Sequence, residues 1–262
     1  MSYKADYHIH SYYSDGRMKP VDIVRRYKEN DYEVIALTDH DGVDGVQEAM
    51  IAGEALQIKV IPGVELSTSL NWEGKATELH ILGYHIDTEN PRLQEMLETA
   101  RRSRDDRNQR LLAYLNGSGY PLRYEDLLER PGQTYVGKPN FARALRRKGY
   151  AIEDMWKIFD RIERERLDTA EAIAVIREAG GLAVLAHPMK IKGIGEKSSG
   201  QFWENLENML RHLKKQGLKG LECYHPSASG EDALRLVVLA GKLHLHITEG
   251  SDFHGESESE RT

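Results

Sequence analysis

With 262 residues, 36 Lys and Arg against 42 Asp and Glu, and a formal charge of −6, the chain is long enough for one large domain, or one domain with an insertion. A composition of 40% hydrophobic and 30% charged residues excludes a disordered chain, and the single cysteine, Cys223, excludes a disulfide scaffold or a multi-cysteine zinc or iron–sulfur site. Apolar runs such as 181–186 are far short of the ~20 residues a membrane helix needs, and the first residues carry no apolar signal segment, so a cytoplasmic protein without a membrane partner is expected.

Short β-rich runs and helical patterns alternate along the chain. Residues 5–10 form the first expected strand. A helix over 19–30 follows, with Pro20 in its first turn and Val21, Ile23, Val24 and Tyr27 along it. The strand at 33–37 leads through Asp41-Gly42 to a helix over 43–56, and strands at 59–64 and 77–84 come next. From 88 to 168 the alternation stops. Asn90-Pro91 opens a helix running through Leu93, Met96, Leu97, Ala100, Leu111, Leu112 and Leu115, and shorter helices are expected at 124–130, 139–148 and 152–162. Asp168-Thr-Ala-Glu171 resembles a capping box for a helix ending near Gly180-Gly181. Strands at 182–186, 220–224 and 244–248 then alternate with helices over 199–216 and 231–241. This order predicts an α/β fold with parallel pairing and crossover helices, interrupted by a helical insertion. Seven strands can close a barrel or lie open. The insertion carries 17 Lys and Arg and 14 Asp and Glu, a balance of +3, so the remainder carries −9. A basic lid over an acidic body suits an anionic substrate. Ordinary charge scatter on a solvated helical surface would give the same count.

The histidines fall in a pattern. His8 and His10 close the first strand two residues apart, which puts both side chains on one face, able to grip one ion. Asp15 follows in Ser14-Asp15-Gly16. Thr38-Asp39-His40-Asp41 follows the second strand, Glu65 ends the third, His80 lies on the fourth, and His187 ends the fifth. Asp252 and His254 follow the seventh. In parallel α/β folds, ligands gather at the carboxyl ends of the strands. Imidazole and carboxylate without thiolate suit Zn, Mn or Fe, and this many donors exceed what one tetrahedral ion needs, so two or three ions with a bridging carboxylate are expected. Taken singly, each motif is also an ordinary turn, cap or ion pair; together they point to a metal cluster. His85 and His212 read as surface or packing residues. His244 and His246 start the last strand, at the wrong end for this mouth. His225 is at the right end for a substrate contact, and Cys223 reads as a buried apolar residue rather than a nucleophile.

The ordered motifs Asp6-Tyr-His8-Ile-His10-Ser11, Ser14-Asp15-Gly16, Thr38-Asp39-His40-Asp41, Gly63-Val-Glu65-Leu-Ser67, Leu79-His80-Ile-Leu-Gly83-Tyr84, Ala186-His187-Pro188 and Gly250-Ser-Asp252-Phe-His254-Gly255 resemble the PHP (polymerase and histidinol phosphatase) superfamily. Within it, the chain is similar to stand-alone metal-dependent phosphoesterases that hydrolyse nucleoside monophosphates or 3′,5′-bisphosphates, a group with one branch that trims RNA from the 5′ end. The resemblance implies a distorted (β/α)7 barrel formed by 1–87 and 169–262, with 88–168 as an inserted helical subdomain that acts as a substrate lid. It also implies a trinuclear site: His8, His10, Glu65 and Asp252 on the first ion, Asp15, His40 and His254 on the second, and Glu65, His80 and His187 on the third. Asp15, where the histidinol phosphatase branch often has His, favours the nucleotide branch. Lys138 and Asn140 depart from the Gly-Arg-x-His of the insertion, and Glu249 stands where a Gly is usual. The chain ends soon after His254, where family members continue for another short segment.

The expected function is therefore hydrolysis of a phosphomonoester of AMP or a nucleoside 3′,5′-bisphosphate by a hydroxide that Mn, Fe or Zn ions activate, held through Asp15, Glu65 and Asp252. Arg143, Lys138 and His225 are the expected substrate contacts. The expected partner is a small phosphorylated molecule, with a short RNA 5′ end as the next candidate. A 5′–3′ exoribonuclease, a histidinol-phosphatase-like enzyme and a non-catalytic PHP module are the alternatives. An amidohydrolase-like site is disfavoured because the strand-end residues include no Lys. Oligomeric state and metal identity are not readable from the sequence.

Overall fold

The computed structural model describes residues 4–150 and 155–255. Ala5–Ile9 (β1) and Val34–Leu37 (β2) are short apolar runs paired in parallel, joined by the amphipathic helix Pro20–Glu29 (α1), which buries Ile23, Val24 and Tyr27 against them. Val46–Leu56 (α2) leads to Lys59–Trp72 (β3), parallel to β2. Here the expected parallel pattern gives way. β3 runs eight residues beyond the expected strand end, turns at Glu73-Gly74, and returns as Lys75–Tyr84 (β4), antiparallel along its whole length. Both turn residues have positive φ, 51° and 80°, the geometry of a two-residue type I′ hairpin. A hairpin needs no crossover helix, so β4 enters the sheet in the opposite direction.

Pro91–Gly117 (α3) is a 27-residue helix, about 40 Å long at 1.5 Å per residue. Asn90 caps it by accepting a hydrogen bond from Leu93 N at 3.1 Å, and Pro91 starts it. A single 3₁₀ turn, Tyr124–Leu127, stands where a longer helix is expected. Lys138–Arg147 (α4) and Met155–Arg161 (α5) follow; residues 152–154 of the expected helix lie outside the described residues. A two-residue strand, Leu167–Asp168 (β5), pairs with Thr68 and Ser69 of β3. Asp168 caps Thr169–Glu178 (α6) through Glu171 N. Leu182–Leu185 (β6), Gly200–Gln216 (α7), Gly220–Tyr224 (β7), Gly230–Leu243 (α8) and His246–Glu249 (β8) complete the chain.

The strand order is β1-β2-β3-β4-β6-β7-β8, with β5 beside β3. β6, β7 and β8 are parallel, and β4 pairs antiparallel with both neighbours. The two ends of the sheet meet where Phe253, just past β8, bridges Ile9: His10 N donates to Phe253 O at 2.8 Å and Phe253 N to His8 O at 3.2 Å. Ala5, Val34, Ala36, Ile61, Leu82, Tyr84 and Val184, from five different strands, and Ala186, just past β6, pack into one buried cluster. Residues 111–159 have a separate apolar cluster around Leu115, Phe141 and Phe159, whereas the first turns of α3 pack into the main core through Leu93, Met96 and Leu97. No described helix is long and apolar enough to cross a membrane.

Candidate metal centre

Glu65 sits at the middle of β3, where its main chain bridges the segment after β2: Glu65 N donates to Asp39 O at 3.1 Å and Asp41 N donates to Glu65 O at 2.9 Å. Its buried carboxylate is the hub of the site. Oε2 lies 3.2 Å from His8 Nε2, 3.2 Å from His10 Nε2 and 3.0 Å from His40 Nδ1. Oε1 lies 2.8 Å from His80 Nδ1 and 2.9 Å from His187 Nε2. Asp252 Oδ1 faces His10 Nε2 at 3.2 Å and His8 Nε2 at 3.6 Å, and Asp15 Oδ1 faces His254 Nε2 at 3.1 Å. All the ligands implied by the resemblance thus come to one place. His8, His10 and Asp252 form one close group and His10, Asp15, His40 and His254 another. His8, Glu65 and His187 form a third, and His40, Glu65 and His80 a fourth.

The scaffold fixes these groups by hydrogen bonds among residues that the sequence motifs contain but to which they assign no role. Asp39 accepts from Ser11 N at 2.7 Å, Ser11 Oγ at 2.6 Å and Ser14 Oγ at 2.5 Å, which holds the loop carrying Asp15. Asp6 accepts from Tyr27 Oη at 2.7 Å and from Ser251 N at 3.0 Å, which ties β1 to the residue before Asp252. Asp252 and His187 have positive φ, 55° and 26°, uncommon for residues with a side chain and held here by their surroundings. Glu222, also outside the expected set, contacts both His8 and the main chain of His187.

Whether ions suit this arrangement is tested by its polar atoms. His8 Nε2, both ring nitrogens of His10, His40 Nδ1, Asp15 Oδ1 and Glu65 Oε2 are buried and have no hydrogen-bond partner. Leaving such a group unsatisfied costs about 1–3 kcal/mol. Cations would satisfy the nitrogens and carboxylate oxygens that face one another here, and the imidazole–carboxylate set fits divalent first-row metals. The electrostatics agree. Burial opposes charge on His10, but the close carboxylates of Asp252 and Glu65, each 3.2 Å from Nε2, and the charge of Asp15 prevail and raise its pKa to about 10. His80 is raised to about 9 against burial, chiefly by Glu65. Glu65, Asp15 and Asp252 are held well below the usual carboxylate range despite burial, by the surrounding histidines. His187 goes the other way, to about 4, because burial, His80 and Lys190 outweigh Glu65. Without metal, protons on His10 and His80 offset the ionised carboxylates that cations would otherwise offset, so metal binding would release protons.

The substrate contacts expected from sequence are divided. His225 is buried beside the site, with Nε2 3.4 Å from Asp252 Oδ2. Its Nδ1 accepts from Ser227 N at 2.9 Å, so in the neutral ring the hydrogen is on Nε2, on the side of Asp252. Lys138 lines a cavity of about 380 Å³ over His40 and His80 and pairs with Asp160 at 2.7 Å. Arg143 pairs with Glu129 at 2.5 Å and lines a different cavity, beside Arg17. What sequence reasoning passed over is the wall of Lys138's cavity: Arg104, Arg107, Arg164 and Arg166. Arg104 and Arg107 are buried, and Arg104 Nη1, Arg107 Nε and Arg166 Nε have no hydrogen-bond partner. Burial and the three neighbouring arginines press the Arg107 pKa down to about 10. Asp41, lowered to about 2 against burial by Arg164 and Arg104, and Glu78, paired with Arg166 at 2.6 Å, are the acidic counterweights. A signal did exist: the buried stripe of α3 runs 93, 96, 97, 100, 104, 107, 108, 111, 115, and Arg occupies 104 and 107 of it. Lys190 was also missed; three residues after His187, its Nζ lies 2.5 Å from Asp252 Oδ2.

His85, His244, His246 and Glu249 are exposed, and His212 bonds Gln216 on α7. None of these belongs to the close groups. Cys223 is fully buried, and burial with the Glu222 charge pushes its thiol up to about 12, which suits packing rather than nucleophilic attack.

The sequence matches the PHP domain family over residues 6–226. It is 31% identical to a 5′–3′ exoribonuclease of Haemophilus influenzae, over 97% of this chain and 91% of that protein. It is 30% identical to a 3′,5′-nucleoside bisphosphate phosphatase of Chromobacterium violaceum, over 98% of this chain and 89% of that protein. A solved structure of a candidate metal-dependent phosphoesterase from Bifidobacterium adolescentis superposes with a TM-score of 0.83 at 26% identity, covering 97% of this chain and 89% of that one.

Proposed function

The chain belongs to the PHP domain family, and from that membership we propose that it is a metal-dependent phosphoester hydrolase whose substrate is a small nucleotide with two phosphate groups, a nucleoside 3′,5′-bisphosphate. The observation that carries the reading is the convergence of His8, His10, Asp15, His40, Glu65, His80, His187, Asp252 and His254 at one mouth, beside a cavity walled by arginines. His8, His10, Glu65 and Asp252 would hold one divalent ion, Asp15, His40 and His254 a second, and His80 and His187 with Glu65 a third. Such ions, when bound, make water acidic enough to attack phosphorus near neutral pH and offset charge on the phosphoryl oxygens. Mn, Fe and Zn all suit these donors.

The chain's own residues do the rest. Glu65 and Asp252 keep the donors clustered. The Nε2 hydrogen of His225 lies beside Asp252 Oδ2, and we assign it to a leaving-group or phosphoryl oxygen bound next to that carboxylate. Arg104 and Arg107, each with a guanidinium nitrogen that has no hydrogen-bond partner, and Arg164 beside Asp41 offer planar, charged donors to a second phosphate, whereas Arg143 lines a different cavity. Lys138 lines the cavity of Arg104, Arg107 and Arg164. We read 88–168 as the lid that brings these arginines over the mouth, a reading supported by its separate apolar cluster. Cytoplasmic location is part of the proposal.

The test is phosphate and nucleotide release from a nucleoside 3′,5′-bisphosphate, AMP, histidinol phosphate and short 5′-phosphorylated RNA, with the protein loaded separately with Mn, Fe and Zn. The bisphosphate is expected to be the best substrate. Arg107→Ala is expected to raise its KM at least tenfold while changing that for AMP by no more than about threefold. No release under any metal overturns the proposal. Faster turnover of RNA than of any mononucleotide would favour the exoribonuclease reading, the activity for which the Haemophilus influenzae relative is named.

A further inference from the structure

Glu222 lies on β7, between β6 and β8, and is fully buried. Its Oε1 is 2.9 Å from His8 Nδ1, and its Oε2 accepts from the His187 main-chain N–H at 2.6 Å. The chain makes room for it: a Cβ on Gly250 would stand 2.5 Å from Glu222 Oε1 and 2.3 Å from His8 Cβ. A buried carboxylate at this place, with each oxygen engaged by a different strand's residue, needs a reason beyond filling space.

Two consequences follow from the bonds. An ionised carboxylate only accepts, so the His8 nitrogen facing it carries the hydrogen, and Nε2 keeps its lone pair toward Glu65 and Asp252. The other tautomer would place a hydrogen where a cation must bind. At His187, φ is 26°, and the bond to Glu222 holds that strained main chain where Nε2 meets Glu65 Oε1 at 2.9 Å. His8 and His187 are the partners of opposite oxygens of Glu65.

We infer that Glu222 is a positioning residue that sets the tautomer of His8 and the backbone of His187 together, and so governs the affinity of the two ions that share Glu65. The inference rests on the metal-centre reading above. The contacts of Glu222 are with His8 and His187 and not with Asp15, His40 or His254, so an ion on those three residues would be outside its control. Outer carboxylates that orient ligating histidines typically set metal affinity within a 10–100-fold range.

Glu222→Gln is the incisive variant. The amide keeps the shape, but its oxygen can accept only one of the two hydrogens, and its NH2 group faces the other donor. Stepwise Zn binding is measured by titration against a competing chelator, with elemental analysis at saturation, and Asp15→Ala identifies the step that belongs to the second ion. Expected for Glu222→Gln are a 10–100-fold weakening of the steps assigned to the Glu65 pair, a second-ion step within about threefold of wild type, full stoichiometry at raised Zn, and a cooperative unfolding transition. Equal affinity in Glu222→Gln and wild type overturns the inference. So does uniform weakening of every step, which would make Glu222 merely structural. Permanent loss of one equivalent at saturating Zn also overturns it, since Glu222 would then be a ligand itself, alongside His8 and His225. A wild-type protein that binds no Zn instead sinks the metal-centre reading.

Discussion

Five histidines surround one carboxylate, so Glu65 has the largest consequence of any single residue. Glu65→Gln, or Asp252→Ala, should lower both bound metal and phosphate release at least a hundredfold. Full metal content and activity in Asp252→Ala would refute the assignment of ligands. The same cluster predicts a pH dependence for the chelator-treated protein. His10 and His80 have pKa values raised to about 10 and 9, so their contribution to stability is complete below the unfolded value near ~6.5 and is lost as pH rises through 9 to 10. The lowered carboxylates act oppositely: their contribution is present above the unfolded value near ~4 and is lost in acid. His187, lowered to about 4, also withdraws stability as pH falls below ~6.5. The melting temperature of the metal-free protein should therefore decline from pH 7 to 10, whereas that of the Zn-loaded protein should not, because the ions replace the protons.

At the scale of elements, α3 and the β3–β4 hairpin do what neither local propensity nor period alone would suggest. The buried stripe of α3 is apolar at both ends and cationic in the middle, where it passes the arginine cavity. Burying charge without a full set of partners is costly, so Arg107→Met should stabilise the phosphate-free protein by about 1–3 kcal/mol in denaturant unfolding and remove the stabilisation that added inorganic phosphate gives wild type. A less stable Arg107→Met would show that Arg107 is already well paired. The hairpin turn tests backbone geometry separately. Glu73 has φ of 51°, a region that Asn tolerates better, and Glu73→Asn should gain up to about 1 kcal/mol, measured by the unfolding midpoint.

For the whole molecule, the proposed ligands stretch from residue 8 to residue 254, and β1 meets the segment after β8 through Ile9 and Phe253. The site exists only when both ends of the chain are in place. Each ion at one hundred times its Kd should then add about 2.7 kcal/mol to global unfolding rather than stabilising one part. A calorimetric scan in which metal sharpened only a sub-transition would contradict this.

The sequence by itself determined the donor chemistry and most of the elements. Alternation puts His8 and His10 on one face whatever surrounds them, apolar runs bounded by Gly or Pro mark the strands, and Asn90-Pro91 and Asp168 mark helix starts through local hydrogen bonds. These are short-range effects, legible in a few residues. Tertiary structure alone decided what depends on pairing between distant segments. The extension of β3 and the reversed direction of β4 follow from a hairpin whose length only its partner strand fixes. Arg143 and Lys138 are the anion contacts expected from sequence; packing sets Arg143 against Glu129 and brings Arg104, Arg107 and Arg164 together around the cavity that Lys138 lines. Glu222 has no assigned role on its expected strand until folding places it between His8 and His187. A charged side chain's role depends on its neighbours in a low-dielectric interior, and those neighbours are chosen by the fold, not by the residues beside it in the chain.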